Sequence, residues 1–174
     1  MHALAIFLAL TSIVTNARVA VTDGKDAGTR PHDAVVVDLK SASARFVKTG
    51  TPLAANERSI IVELLAPPIG PLPNTAAGAV DAFDRPGIEK LLDNDRVTVW
   101  RYTWVPNKKT PLHFHANDVV VVHLADGVLA STTPDGKTAM NPNSFGLTKF
   151  NPRGRVHYEE LVKGKASAVI VELK

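Results

Sequence analysis

The chain of 174 residues contains no cysteine. That removes thiolate ligands, cysteine nucleophiles and disulfide staples, so a metal held here must be held by imidazole, carboxylate or water. The lack of thiols also fits an exported bacterial protein, in which unpaired thiols invite mispairing. Charge of one sign is equally scarce. The formal net charge is +3, charged residues make up 21% of the chain, and they are scattered. No basic stripe with interleaved aromatics supports nucleic-acid binding. After the first residues no apolar run approaches the ~20 residues of a spanning helix. There is no Gly-x-Ser-x-Gly elbow and no phosphate-binding glycine loop ending in Lys-Ser/Thr. Nothing points to a paired-carboxylate glycosidase.

The first residues, MHALAIFLALTSIV, carry no charged side chain, and TNARVA follows with small residues spaced for cleavage after Ala20. This pattern predicts a secretory signal over residues 1–20, and hence a periplasmic or secreted protein with no stable membrane anchor after cleavage. The competing reading is an apolar strand or helix that stays in the fold. A polar stretch, VTDGKDAGTRPHD, reads as an exposed linker.

From there the chain reads as short strands. Residues 34–39, 44–47 and 58–65 are β-branched or apolar. Residues 66–73 (APPIGPLP) hold four prolines and cannot lie inside a ladder or helix. This loop runs on toward residue 87, and its length suggests a lid or a partner surface. Beyond it, strands are predicted over 96–105, 119–124, 128–132, 145–150, 156–161 and 166–173, with Pro134-Asp135-Gly136 turning a hairpin. No helix-period segment of useful length follows residue 92, and the strand spacing indicates a β-sandwich or barrel.

The richest chemistry lies in three histidines. His113 and His115 are one residue apart, and His157 ends the run Gly146-LTKFN-Pro152-R-Gly154-RV-His157. Alternate residues of a strand share a side, so His-x-His presents two imidazoles to one point. A third from a neighbouring strand would complete a facial metal site with open positions.

The runs LHFHANDVVVVHLADG and GLTKFNPRGRVH resemble the two motifs of the cupin superfamily across residues 96–173. His113, His115 and Gly127 match the first motif; Gly146, Pro152, Gly154 and His157 match the second. The resemblance implies an all-β fold, a double-stranded β-helix or jelly-roll barrel over residues 89–174, with an N-terminal β extension over 21–88. It implies His113, His115 and His157 as ligands of one divalent transition metal, either Fe, Mn, Ni, Cu or Zn. It also implies a homodimer made by exchange of the strands at 34–39 and 58–65. The family's glutamate falls at Val120, or at Val119 if the gap is shorter, and neither side chain can bind a metal; Leu161 stands where the family often has Asn. A site of three imidazoles leaves the ion its full charge, which favours anionic or bidentate ligands.

If the turn at 116–117 shifts strand parity, Val120 and Val122 line the pocket and His123 points outward; without the shift His123 joins the other histidines. Tyr102, Trp104 and Phe150 are further candidate pocket residues, with Trp100, Tyr102 and Trp104 on one strand face. Arg101 lies on the opposite face. His32 and Asp118 read as solvated, and Glu159 reads as a partner in an ion pair or a hydrogen bond to a ligand imidazole. The expected function is a small-molecule site that activates O₂ or water, with dioxygenase-like oxidoreductase activity. A non-catalytic periplasmic binding protein and a cupin-type isomerase are the alternatives.

Overall fold

The computed structural model describes residues 14–25 and 27–174. Its N-terminal strands are β1 (Val19–Asp23), β2 (Gly28–Thr29), β3 (Ala34–Asp38), β4 (Ser43–Val47), β5 (Pro52–Leu53) and β6 (Ser59–Leu64). They are followed by β7 (Val80–Asp81), β8 (Glu89–Asp93), β9 (Val97–Trp104), β10 (His113–Phe114) and β11 (Val119–His123). The last are β12 (Gly127–Thr132), β13 (Thr138–Asn143), β14 (Thr148–Asn151), β15 (Val156–Gly164) and β16 (Ala166–Leu173). Two five-stranded sheets, β13-β12-β15-β10-β7 and β14-β11-β16-β9-β8, make the jelly-roll barrel, and a four-stranded sheet, β1-β6-β3-β4, covers its outside. No helix occurs among the described residues.

Strands β9, β11 and β16 of the second barrel sheet have two apolar faces with different duties. Val97, Val99, Val120, Val122, Val169 and Val171 pack outward against Val35, Val37, Ile60 and Val62 of the covering sheet. Tyr102, Trp104, Val119, Val121, Ala168 and Ile170 face inward with Leu129 and Leu161. This double burial explains why β11 and β16 read as continuous β-branched runs instead of alternating. The covering sheet is itself buried on its far side, where Ala34, Val36 and Ile61 meet Val47 and Leu53.

Four differences from the sequence reading have physical causes. β1 crosses the predicted cleavage point: Val19 pairs with Leu64 and is fully buried. Arg18 just before it donates to Asp118 at 2.9 Å and to the Lys174 carbonyl at 3.1 Å. An apolar run that ends in a buried strand and one that ends in a signal look alike in sequence. Residues 1–13, the greater part of the predicted signal, lie outside the described residues. β13 was not foreseen because Asn and Pro dominate TAMNPN; it lies at a sheet edge, where Pro142 costs no ladder bond. The proline-rich segment is tied down, with Leu72 N–H donating to the Ala116 carbonyl and Arg153 to the Gly70 carbonyl. It then enters the barrel sheet as β7, parallel to β10.

Gly127 permits the closest backbone approach in the barrel. A Cβ there would lie 2.3 Å from the Lys165 carbonyl oxygen, so only glycine fits. The division of β11 into two faces also gives a direct test. Val120→Glu puts an unpartnered carboxylate between two apolar sheets and is expected to cost about 3–5 kcal/mol, read as a lowered urea midpoint. A cost under about 1 kcal/mol, the range of an ordinary surface change, would contradict this placement.

Candidate metal centre

The three histidines are brought together by strand register. β10 and β15 are antiparallel with His113 directly opposite His157, and cross-strand partners point to the same side. His115 continues the pairing: its N–H donates to the Arg155 carbonyl, and the Gly154 N–H donates to its own carbonyl. Gly154 sits at φ +85°, a turn conformation that a side chain resists. The three imidazoles are buried, and one ring nitrogen from each lies within 4.8 Å of the others.

Their protons are partly assigned by their partners. The Pro111 carbonyl lies 2.9 Å from His113 Nδ1. A carbonyl only accepts, so Nδ1 carries the hydrogen and Nε2 presents its lone pair. His157 Nδ1 lies 2.6 Å from Ser131 Oγ, and its Nε2 lies 3.1 Å from His115 Nε2. Two imidazole nitrogens this close hold one shared proton, or, with both lone pairs bare, a cation between them. The converging nitrogens, the Pro111 brace and the all-nitrogen donor set fit a divalent transition metal. Ser131 is able to accept from His157 Nδ1 in that state, since a hydroxyl serves as donor or acceptor.

The surroundings are cationic. Arg85, a buried residue of the segment after β7, places Nη1 3.0 Å from His113 Nε2 and its guanidinium carbon 4.2 Å above the centre of the Tyr102 ring. Arg155 Nη2 lies 3.3 Å from His157 Nδ1. Lys149 lines the same cavity, and Glu159 is its one carboxylate, accepting from Trp104 Nε1 at 3.0 Å. With neutral imidazoles, three cations against one carboxylate leave +2. Burial, then the Arg85 charge, hold His113 down at about 3. Burial, then Arg155 and Arg85, hold His157 at about 3. His115 is held well below its ordinary 6.5 by burial and then by His113. Burial also lowers the Arg85 guanidinium, and Glu159 opposes that shift.

Strand parity does not shift at the turn after His115. Val119, Val121 and His123 face the cavity, whereas Val120 and Val122 pack beneath the covering sheet and are not pocket residues. The reason is register: Val119 pairs with Asn151 and Val121 with Lys149, both inward, while Val120 pairs with Phe150. Phe150 therefore also packs outward, away from the pocket. His123 is inward and buried, the opposite of the parity-shifted reading. The inward neighbour at the family's glutamate position is Val119. Trp104 lines the cavity, and Tyr102 lies in the inner cluster under Arg85. Trp100 stacks on Phe83 with ring centroids 5.0 Å apart. Asp118 is buried and ties Arg18 to the Arg153 N–H instead of being solvated or facing the histidines. Arg101 pairs with Glu89 outside the barrel, and His32 lies 3.4 Å from Glu63. Arg155 was findable, two residues from His157 on the same strand face as Glu159. Arg85 was not, because no periodicity places a residue of an irregular segment.

The imidazoles make acid stability a readout. Their ordinary value is 6.5, so below it an unfolded chain takes up protons that the folded chain refuses. Their contribution is full above pH 6.5 and is lost as pH falls toward 3. The urea midpoint of metal-free protein is expected to fall steadily from pH 6.5 to 4, with a shallower slope in His157→Gln. Equal slopes would contradict the buried neutral state.

No protein-family model matches the chain. A Pseudomonas aeruginosa protein named beta-alanine degradation protein BauB is 36% identical over 66 residues, 38% of this chain and 68% of that one. A cupin domain from Bordetella pertussis is 30% identical, over 52% of this chain and 96% of that one, with a TM-score of 0.47. A cupin 2 conserved barrel domain protein from Leptotrichia buccalis is 13% identical but matches 92% of this chain and 86% of its own, with a TM-score of 0.50.

Proposed function

Because this chain belongs to the cupin superfamily, we propose that it is a metal-dependent enzyme of small carboxylates, with dioxygenase-like oxidoreductase activity. In this reading His113, His115 and His157 hold one divalent ion. The observation that carries it is the convergence of three buried, uncharged imidazoles in a cavity whose remaining charge is positive. When bound, such an ion supplies open coordination positions and Lewis acidity to an anionic substrate and to O₂ or water.

The chain's own residues do the rest. Arg85 and Arg155 flank the histidines and offer guanidinium donors to a carboxylate. Val119, where the family's glutamate would stand, adds no negative charge, so the anion must come from the substrate. Val121, Leu129 and Ile170 add apolar surface to the cavity wall, which strengthens those charge interactions. Glu159, fixed by Trp104, moderates the cationic field. The BauB name refers to degradation of beta-alanine in that relative; for this chain, the charge of the cavity favours a short carboxylate. We further propose export, with processing ahead of Arg18, since Arg18 and Val19 are part of the fold.

A second reading is favoured by Arg85 alone. With its Nη1 on His113 Nε2, the cavity is already an anion site, and a binding protein that needs no metal would use it as it stands. Elemental analysis of untagged protein from the periplasm, beside His113→Ala/His157→Ala, separates the two. The enzyme reading predicts near-stoichiometric iron, manganese, nickel or copper, lost in the double variant, and O₂ uptake with a short carboxylate. No metal after reconstitution would overturn it in favour of the binding protein.

A further inference from the structure

The cavity has a second polar end that the histidine site does not use. It is built by β11, β13 and β14, which bring His123, Asn143 and Lys149 to its wall. Lys149 Nζ donates to the Pro142 carbonyl and to Asn143 Oδ1, both at 3.0 Å. An ammonium has three protons, so one is left to give. The contact to Oδ1 fixes the Asn143 amide, and its Nδ2 is buried with no partner. His123 Nδ1 is likewise buried and unpartnered, on a side chain only 4% exposed.

Polar atoms of this kind are rarely left unpaired in a folded protein. Two of the three unspent groups are donors only, and the third donates in its Nδ1–H tautomer. What completes them is a group made of acceptors, and the neighbouring ammonium gives preference to a charged one. Among the described residues the only carboxylate on the wall, Glu159, is engaged by Trp104. The cavity wall also carries Val121, Leu129 and Ile170, beside Asn141 and Asn151.

We infer that Lys149, Asn143 and His123 form a second anion-binding pole, so that the ligand is a short dianion, a three- or four-carbon dicarboxylate, spanning from this pole to Arg85 and Arg155. The inference rests on the anionic-ligand reading of the same site but not on the metal. The charge of +2 matches two carboxylates. The cavity is small, about 70 Å³, which excludes long chains and sugars. The apolar wall accommodates the methylene spacer.

Titration calorimetry on chelator-treated protein tests this, with malonate, succinate, acetate and propionate as probes at constant ionic strength. Malonate or succinate is expected to bind at least ~10-fold tighter than either monocarboxylate, about 1.4 kcal/mol. Lys149→Met and Asn143→Leu should each remove most of that advantage, Asn143→Leu while leaving acetate affinity and the metal content of untreated protein unchanged. Asn143→Leu keeps the test open if Lys149→Met does not fold. Equal affinity for mono- and dicarboxylates, or an undiminished advantage in Asn143→Leu, would overturn the second pole. Metal uptake without dicarboxylate preference would refute the pole and spare the metal reading. Dicarboxylate preference in a protein that never takes up metal would do the reverse.

Discussion

Among the described residues, two guanidinium groups and an ammonium line the histidine cavity with a single carboxylate, and the three central imidazoles carry no charge to offset them. Buried charge of one sign is costly unless something of the other sign enters. That imbalance is what the functional reading depends on. It makes the cavity an anion receptor before any metal is considered. It also sets the terms on which a metal enters, because Arg85 lies on the Nε2 lone pair that a metal at His113 would need. An ion arriving alone meets a guanidinium at contact distance; an ion arriving with an anion has that guanidinium drawn toward the anion. Metal and anion should therefore bind as one linked event.

The fold supplies the geometry for this through strand parity. Odd-numbered residues of β11 face the site and even-numbered ones face the covering sheet. The N-terminal strands thus seal an apolar barrel face that would otherwise meet water. Arg155, just before β15, and His157 and Glu159 on it stand on one face, placing cation, ligand and carboxylate at two-residue intervals. The segment after β7 adds Arg85 from outside the ladder pattern. The core and the site are therefore two sides of the same strands, and errors in reading one propagate to the other.

The histidine triad was legible because two motifs with fixed spacing and a period of two place it. The barrel was legible because the strands beyond residue 96 are β-branched and separated by turn residues. Parity across residues 116–118 was not, since a one-residue difference in turn length inverts every assignment after it. That ambiguity put Val120 and Val122 in the pocket and His123 outside. β1 was hidden because an apolar stretch near the start of a chain reads equally as a signal and as a buried strand. Arg85, Asn143 and Lys149 were invisible for a different reason: their roles come from tertiary contact, not from local pattern.

The most direct test of the account is the affinity of the protein for divalent cobalt, measured by chelator competition at fixed free metal, with and without saturating malonate. The account predicts at least ~10-fold tighter cobalt binding in malonate, a coupling of about 1.4 kcal/mol. It also predicts that Arg85→Met tightens cobalt binding in the absence of anion and weakens the coupling. Cobalt affinity indifferent to malonate in the unmodified protein, and unchanged by Arg85→Met, would contradict the claim that the arginines and the histidines form one site.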